Sequence, residues 1–213
     1  MTRNLQPKVA LTMRITQATG YLEPRDSISH DWLIRLQSWN MQPILLPNLL
    51  DDPVAWLKAN TPDLLILTGG DNIHEKCQRF NTETKLVEQA MSAKLPILGV
   101  CRGLQWLNTI QFGGKLAPIA GHAATTHAVD ITPRFQQIYG NRITINSYHE
   151  FGIPPDGLGV GLETLAMDAA GWIEGVYLPG EPLAGIMWHP ERVGGAEGDL
   201  QLLRSLIDMR RTP

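Results

Sequence analysis

The sequence predicts one α/β domain over residues 1–213, with a mostly parallel central sheet and helices on both faces. Three observations support this fold class. Short apolar runs alternate with segments of helical period up to residue 114, as in repeated strand–helix–strand units. The runs are continuously apolar, which is typical of strands covered on both faces. Hydrophobic residues make up 43% of the chain, so a sizeable core can be buried.

The first half of the chain contains four predicted strands and four predicted helices. The strands are residues 8–13, 42–48, 63–70 and 95–100, and the helices are residues 26–40, 52–60, 82–92 and 102–113. Asp26 or Ser27 is the expected N-cap of the first helix, because a short polar side chain can accept an N–H group of the first turn. Pro53 suits the first turn of the second helix. Gly113 and Gly114 suit the end of the fourth.

After residue 114 the pattern changes to short strand-like segments separated by turn residues. The segments are residues 127–132, 141–149, 162–169, 172–179 and 182–189. We expect them to form a C-terminal β-hairpin region or additions to the sheet. Residues 198–211 then end the chain as a helix.

Composition excludes several classes of protein. A net charge of -3 argues against a nucleic-acid partner. No apolar run approaches the roughly 18 residues of a membrane span, and the first residues lack a secretory apolar segment, so we expect a cytoplasmic protein. Cys77 and Cys101 do not make a disulfide framework. No self-complementary apolar patch is visible, so the sequence predicts no oligomeric state.

Cys101 lies in the segment Gly-Val-Cys-Arg-Gly, residues 99–103, between a predicted strand and a predicted helix. This is the cysteine version of the G-x-S-x-G nucleophile elbow, in which small neighbours leave room for a strained turn. The side chain would project above the carboxyl end of the sheet, where open α/β folds bind ligands. The alternative is a buried cysteine in a glycine-rich turn, acting as a small hydrophobic residue.

A cysteine nucleophile needs a base and a group that orients the base. His189 and Glu191 are two residues apart at the end of a predicted strand, and Pro190 between them favours extended backbone. Their side chains therefore point the same way, as a Cys-His-acid triad requires. The alternative is a turn with a solvated ion pair between Glu191 and Arg192.

Acyl chemistry also needs donors for the developing oxyanion. The backbone N–H of Arg102 follows the nucleophile directly. A second donor could come from the pair Gly69 and Gly70, which ends the third strand and allows close approach of the backbone. A phosphate-binding loop is not indicated, because both G-x-G-x-x-G and the Walker pattern are absent.

Four segments together resemble the class I glutamine amidotransferase-like superfamily. They are LTGGDN (67–72), PILGVCRGLQ (96–105), NSYHEFGI (146–153) and GIMWHPE (185–191). The resemblance extends from about residue 8 to about residue 207. It implies a three-layer, flavodoxin-like class I glutamine amidotransferase fold that requires neither a metal nor an organic cofactor.

Two segments, RGLQ after Cys101 and NSYH at residues 146–149, resemble the stand-alone γ-glutamyl hydrolase branch of this superfamily. The ammonia-supplying subunits commonly read CLGHQ where this chain reads CRGLQ. Within the branch, the small size, EPRDSISHDW (23–32) and INSYHEFGI (145–153) are most similar to the γ-glutamyl-CDP-amidate hydrolases. Those enzymes remove a glutamyl group from a nucleotide-linked phosphoramidate during capsule sugar decoration.

The resemblance implies a role for each matching residue. Cys101 would be the nucleophile, His189 the base and then the acid, and Glu191 the group that orients it. The remaining residues would serve the oxyanion and the glutamyl pocket: Gly70 and Arg102 for the first, and Gln105, Tyr148, His149 and Glu150 for the second.

The chain departs from the family pattern before the elbow strand. Related sequences often carry Arg-Asp followed by a helical Glu, whereas this chain reads Arg79, Phe80 and then Glu83. Phe80 replaces the acid, which puts any role of that acid in substrate selection in doubt.

Two further groups of residues are candidate sites. Arg14, Arg25 and Arg79 could together hold a phosphate, or could make ordinary surface ion pairs with Asp26 and Glu83. His122 and His127 have H-x4-H spacing in a small-residue loop, but two histidines do not make a zinc site, so no metal site is predicted.

The sequence therefore predicts a cysteine-dependent hydrolase that releases glutamate from a small-molecule γ-glutamyl amide. One alternative is a glutaminase subunit that delivers ammonia to a synthase partner. A second alternative is a catalytically silent binding module on the same fold.

Overall fold

A sheet of nine strands lies at the centre of the computed structural model, which describes residues 6–70, 73 and 77–211. In chain order the strands are β1 (Lys8–Thr12), β2 (Arg14–Gln17), β3 (Pro24–Ser27), β4 (Gln42–Leu46), β5 (Leu64–Leu67), β6 (Ile97–Val100), β7 (Ala117–Pro118), β8 (Thr125–Ile131), β9 (Arg142–Ser147), β10 (Phe151–Gly152), β11 (Glu163–Asp168), β12 (Ile173–Tyr177) and β13 (Leu183–Ile186). The order in the central sheet is β4-β1-β5-β6-β13-β12-β11-β8-β9.

The central sheet has a parallel half and an antiparallel half. Every pairing from β4 across to β13 is parallel, and every pairing from β13 across to β9 is antiparallel. The predicted α/β class is therefore confirmed. The predicted hairpin region extends the sheet on the side of β12, while β2 with β3 and β7 with β10 form two small separate sheets.

Helices cover both faces of the sheet, as the continuously apolar strands predicted. They are α1 (His30–Ser38), α2 (Pro53–Asn60), α3 (Gln78–Ser92), α4 (Arg102–Trp106), α5 (Gln136–Tyr139) and α6 (Asp199–Arg211). Helices α1 and α6 contribute buried residues to the core on one face. Helices α2, α3 and α4 contribute to the core on the other. No helix of the described residues combines the length and hydropathy that crossing a membrane requires.

The first helix begins later than the sequence predicted. Residues Pro24–Ser27 form β3 and pair with β2, and the Asp26 carboxylate accepts both the backbone N–H and the side-chain amide of Asn48. Asp26 is thus bound to a neighbouring loop and does not cap the helix. Ser29 is the N-cap, and its Oγ accepts the N–H of Asp31.

The fourth predicted helix changes geometry along its length. It is α-helical from Arg102 to Trp106 and continues as a π-helical turn over Leu107–Gln111. The Thr109 hydroxyl donates to the carbonyl of Gln105 at 2.7 Å, and such side-chain bonds compete with the regular helical ladder. Hydrophobic periodicity carries no signal for this change.

A buried ionic network joins α3 to the carboxyl edge of the parallel strands. Glu83 has no exposed surface, and its carboxylate accepts from Arg79 at 2.9 Å and from Arg102 at 2.6 Å. The Thr12 hydroxyl, at the end of β1, donates to the same carboxylate. Arg79 also donates to the carbonyls of Thr68 and Gly69, directly after β5. Burial alone would raise the pKa of Glu83, but the two guanidinium groups lower it below its ordinary value.

We expect Glu83→Gln to lower the free energy of unfolding by about 3 kcal/mol at pH 7, because it leaves two buried guanidinium groups without their anion. The contribution of the Glu83 ion pairs is present above the ordinary pKa of 4.5 and is lost as the pH falls through the lower folded value. Denaturant unfolding of both proteins from pH 7 to pH 3 measures this. The variant should lose less stability on acidification than the native protein.

The matched control is Glu181→Gln, since Glu181 makes an exposed ion pair with Lys94. Its effect should stay within about 0.5 kcal/mol. If Glu83→Gln were as mild as this control, the network would not stabilise the fold.

Candidate active site

Cys101 occupies a strained backbone position between β6 and α4. Its φ is 51° and its ψ is -107°, a combination that residues with a side chain rarely adopt. The Cys101 N–H donates to the carbonyl of Ile186, so the turn is held against the end of β13. The side chain is 7% exposed and borders a cavity. This is the geometry of a nucleophile elbow.

Two glycines allow this turn because no larger residue fits beside it. A Cβ on Gly103 would overlap the carbonyl oxygen of Leu67, and one on Gly99 would lie 2.7 Å from the backbone of Gly103. The helix after the cysteine therefore packs directly on β5 and β6. The predicted reason for small residues on either side of Cys101 is confirmed.

His189 and Glu191 lie side by side, as the extended backbone at Pro190 predicted. Nδ1 of His189 is 2.8 Å from Oε1 of Glu191, and both residues are buried. Strand β13 pairs with β6, and Ile186 lies opposite Val100. This pairing brings His189, three residues after Ile186, next to Cys101, which directly follows Val100. The alternative, a solvated ion pair, is not observed: Nε of Arg192 lies 3.9 Å from Oε1 of Glu191, but Glu191 is only 6% exposed.

The His189 imidazole and Cys101 both pack over Gly69. A Cβ on Gly69 would lie 2.8 Å from Cε1 of His189 and 3.6 Å from Cβ of Cys101. Burial lowers the pKa of His189, but the interactions with Cys101 and Glu191 outweigh burial and raise it to about 9. His189 is therefore an imidazolium at neutral pH.

Asn146 holds the backbone of His189, a role that sequence reasoning missed. Its side-chain amide accepts the N–H of His189 at 2.8 Å and donates to the carbonyl of the same residue at 2.9 Å. The signal was present, since Asn146 opens the segment NSYHEFGI. The contact between the end of β9 and the loop after β13 exists only in the tertiary structure.

A cavity of about 470 Å³ opens above Cys101. Gly70 and Arg102 line it, and within the described residues no acceptor occupies the N–H group of either. Gly70 has a φ of 91°, a left-handed conformation that glycine adopts without strain. Both residues therefore border the cavity close to Cys101. Asp71 and Asn72 of the LTGGDN segment lie outside the described residues.

The predicted pocket residues all line this cavity. Gln105 donates its side-chain amide to the carbonyl of Phe151 at 2.8 Å, so it supports the cavity wall. The Tyr148 ring meets the His189 ring edge-on, with centroids 5.5 Å apart, and the Arg192 guanidinium covers its other side. His149 is buried, whereas Glu150 is exposed at the rim.

The three arginines proposed from the sequence as a phosphate site do not form one. Arg79 is fully buried in the ionic network and cannot reach a ligand in the cavity, so this prediction was wrong. Surface pairing was wrong for it too, because its pair with Glu83 is internal. Arg25 pairs with Glu23, and Tyr21 also accepts from it, on the exposed hairpin. Arg14 lies beside Gly70, a residue that lines the cavity, with Nε 3.4 Å from where a Cβ on Gly70 would be.

Phe80, which replaces the acid of the family pattern, points into the apolar core. Its ring packs edge-on against Trp106, with centroids 6.2 Å apart. The helical Glu of that pattern is Glu83, the centre of the buried network. The acid that is missing from this chain is therefore replaced by a packing residue.

A cluster of histidines around Glu174 was also missed. His122, His127 and His149 each place a ring nitrogen 3.1 to 3.6 Å from the Glu174 carboxylate. Glu174 is 1% exposed. Burial raises its pKa, but the three histidines lower it well below the ordinary value, so Glu174 is an anion. Sequence spacing suggested only His122 and His127, because Glu174 is brought in by strand pairing.

Comparisons with known proteins agree with this geometry. A Schizosaccharomyces pombe protein named as a glutamine amidotransferase is 31% identical over 161 residues, which is 62% of this chain and 62% of that one. The γ-glutamyl-CDP-amidate hydrolase of Campylobacter jejuni is 28% identical over 94% of this chain and 98% of its own length. A Thermoplasma acidophilum structure named for a GMP synthase subunit superposes with a TM-score of 0.72 at 21% identity, covering 97% of this chain and 95% of that one.

The family model that matches is peptidase C26, over residues 7–191. This range contains the elbow, the His189–Glu191 pair and most of the cavity wall. The chain belongs to the peptidase C26 family of glutamine amidotransferase-like hydrolases.

Proposed function

We propose that this protein is a cysteine-dependent hydrolase that cleaves γ-glutamyl amide bonds and releases glutamate. The observation that carries the proposal is the buried His189–Glu191 pair beside the strained Cys101, on the floor of an open cavity. A nucleophile, a base and an orienting acid in this order constitute the minimal machinery of covalent acyl transfer.

The reaction begins when the Cys101 thiolate attacks the γ-carbonyl carbon. The negative charge that develops on the carbonyl oxygen is stabilised by the N–H groups of Gly70 and Arg102. His189 gives its proton to the leaving amine, the C–N bond breaks, and a γ-glutamyl thioester forms on Cys101. His189 then takes a proton from water, whose oxygen attacks the thioester and releases glutamate and the thiolate.

The amine side of the substrate is proposed to be anionic, as in γ-glutamyl-CDP-amidate. Two features support this. The similarity to the Campylobacter jejuni hydrolase extends along nearly the whole of both chains. The Arg14 guanidinium lies beside Gly70, which lines the cavity, and there it would bind a phosphate on the leaving group. A role in making capsule phosphoramidates would follow from this substrate.

A glutaminase subunit that passes ammonia to a synthase is the second candidate. The likeness to anthranilate synthase component 2 of Corynebacterium glutamicum, which is 27% identical over 71% of this chain, favours it. Such a subunit would hydrolyse glutamine well only when its synthase is present. A silent binding module is disfavoured, because the sulfur, the imidazole and the carboxylate are all in place.

We expect Cys101→Ala to lower kcat for the preferred γ-glutamyl amide by about 10⁴-fold or more, because no thioester can form. Glutamate release would be measured on glutamine, γ-glutamyl-aminobutyrate, γ-glutamyl peptides and a γ-glutamyl nucleoside phosphoramidate. With the native protein, added hydroxylamine should divert product to the γ-glutamyl hydroxamate. Cys77→Ala is the control and should keep full activity.

Cysteine-independent turnover of any substrate in the panel would refute the mechanism. Turnover of glutamine alone, rising on addition of a synthase, would replace the proposal with the glutaminase. Failure of iodoacetamide to alkylate Cys101 would favour the binding module.

We expect Arg14→Ala to raise KM for the phosphoramidate by about tenfold, the loss of one charge-assisted contact. KM for γ-glutamyl-aminobutyrate should stay unchanged, because its leaving group carries no phosphate. Arg25→Ala, on the same hairpin, is the matched control and should affect neither. Equal effects of Arg14→Ala on both substrates would contradict an anionic leaving-group site.

We expect kcat/KM to fall above about pH 9, where His189 loses the proton that the leaving amine requires. Glu191→Gln should move this alkaline limb to lower pH, because the carboxylate helps to hold the imidazolium. Glu197→Gln, at an exposed position nearby, should leave the limb in place. A limb that Glu191→Gln does not move would mean that Glu191 does not act on His189.

A further inference from the structure

The antiparallel half of the sheet contains a polar centre that the proposed chemistry does not use. His122 lies between β7 and β8, His127 on β8, His149 after β9 and Glu174 on β12. Nδ1 of His122 is 3.1 Å and Nε2 of His127 is 3.6 Å from Oε1 of Glu174. Nε2 of His149 is 3.5 Å from Oε2. Three histidines from two other parts of the chain therefore converge on one buried carboxylate.

None of these contacts has the geometry of a hydrogen bond. The facing nitrogen of each histidine and both carboxylate oxygens of Glu174 are buried without a hydrogen-bond partner in the described part of the chain. Leaving one such group unpartnered costs about 1–3 kcal/mol. Five unpartnered buried polar atoms in one place indicate that they share a partner at the centre of the cluster.

The other ring nitrogens show what kind of partner fits. Nδ1 of His149 is 3.0 Å from the carbonyl oxygen of Phe151, to which it donates. In the neutral ring, Nε2 then carries a lone pair that faces the Glu174 carboxylate. Nε2 of His122 is 3.4 Å from Oδ2 of Asp168, so this ring lies between two carboxylates, with its Nδ1 facing Glu174. The negative charge of Glu174 calls for a positive centre among the rings, which either a bound metal ion or the protons of charged rings would supply.

The spacing fits a metal ion. Zinc binds histidine nitrogen and carboxylate oxygen at about 2.0–2.1 Å, so two ligand atoms of a tetrahedral site lie about 3.3 Å apart. The observed separations from the carboxylate are 3.1, 3.5 and 3.6 Å. The ligand atoms of His122, His127 and Glu174 all lie within 4.8 Å of one another.

We infer that His122, His127 and Glu174 form a binding site for a divalent transition metal, zinc by its donor set, with His149 beside it. Imidazole nitrogen selects zinc over magnesium and calcium, which prefer oxygen ligands. Asp168 and the Phe151 carbonyl are the outer groups that orient the rings of His122 and His149, as is usual around zinc. The sequence alone predicted no metal site here, because it offered only two of the three ligands.

The site would fix one wall of the cavity. Ala123 and Ala124, which line the cavity, follow His122 directly, and Tyr148 precedes His149. The main chain already joins these segments, since the N–H of His149 and the hydroxyl of Ser147 both donate to the carbonyl of His122. A metal ion would join both segments to β12. Its role is structural and independent of the proposed reaction.

The test uses the full chain without an affinity tag, in a Cys101→Ser background that removes the catalytic thiol as a competing ligand. Zinc content is measured by mass spectrometry after gel filtration, and the chelator-stripped protein is titrated with Co²⁺ while its visible absorption is recorded. We expect about one zinc per chain and the absorption of a tetrahedral cobalt site. The Tm should rise when zinc is added to the stripped protein.

Variants assign the metal to this cluster. His127→Ala and Glu174→Gln should abolish stoichiometric zinc. Asp168→Asn keeps all three ligands and should weaken binding about tenfold, which guards against variants that fail to fold. His30→Ala, an exposed histidine on α1, is the matched control and should bind like the parent.

Three results would overturn the inference. One is a protein that binds no zinc and gains no Tm from it, which would leave the cluster as a protonated histidine network. Another is zinc that His127→Ala and Asp168→Asn both retain with unchanged affinity. The last is zinc that His30→Ala loses as readily as His127→Ala does.

Discussion

The strained backbone of Cys101 is the constraint on which the rest of the site depends. A positive φ at a residue with a side chain persists only where the surroundings hold it. Here the contact of Gly103 with Leu67, and of Gly99 with the helix after the cysteine, leaves the turn no room to relax. The hydrogen bond from Cys101 to Ile186 then joins the turn to β13, the strand that leads to His189. Cys101 and His189 are therefore positioned by one pair of neighbouring strands, β6 and β13.

The buried ionic network supports this junction from the opposite side. Arg102 lines the cavity, and its guanidinium binds Glu83. Arg79 binds the same carboxylate and the two carbonyls that precede Gly70. Both proposed oxyanion donors are therefore held by guanidinium groups that share one anion on α3. Separating either guanidinium from the buried Glu83 carboxylate would leave a buried charge without its partner, which costs free energy. The network therefore resists displacement of Arg79 and Arg102.

The two halves of the sheet supply different parts of the candidate site. The parallel half carries Cys101, Gly70 and the ionic network, whereas the antiparallel half supplies the opposite wall of the cavity. Behind this wall lies β12, where three histidines from other segments contact the Glu174 carboxylate. His149 belongs to both, since it lines the cavity with one side and faces Glu174 with the other. The loops that form the wall therefore meet at the cluster of three histidines around Glu174.

The sequence by itself determined the α/β class, the elbow at Cys101 and the pairing of His189 with Glu191. These features are local: apolar period, glycine spacing and a proline that extends the chain act over a few residues. Only the tertiary structure decided that Arg79 is buried, that Asn146 holds His189 and that Glu174 meets three histidines. Each of these depends on strand pairing or helix packing between distant residues, for which a single sequence has no periodic signal. Arg14, Arg25 and Arg79 look alike in sequence. Only packing shows that Arg79 is buried, that Arg25 is exposed and that Arg14 lies beside Gly70 of the cavity wall.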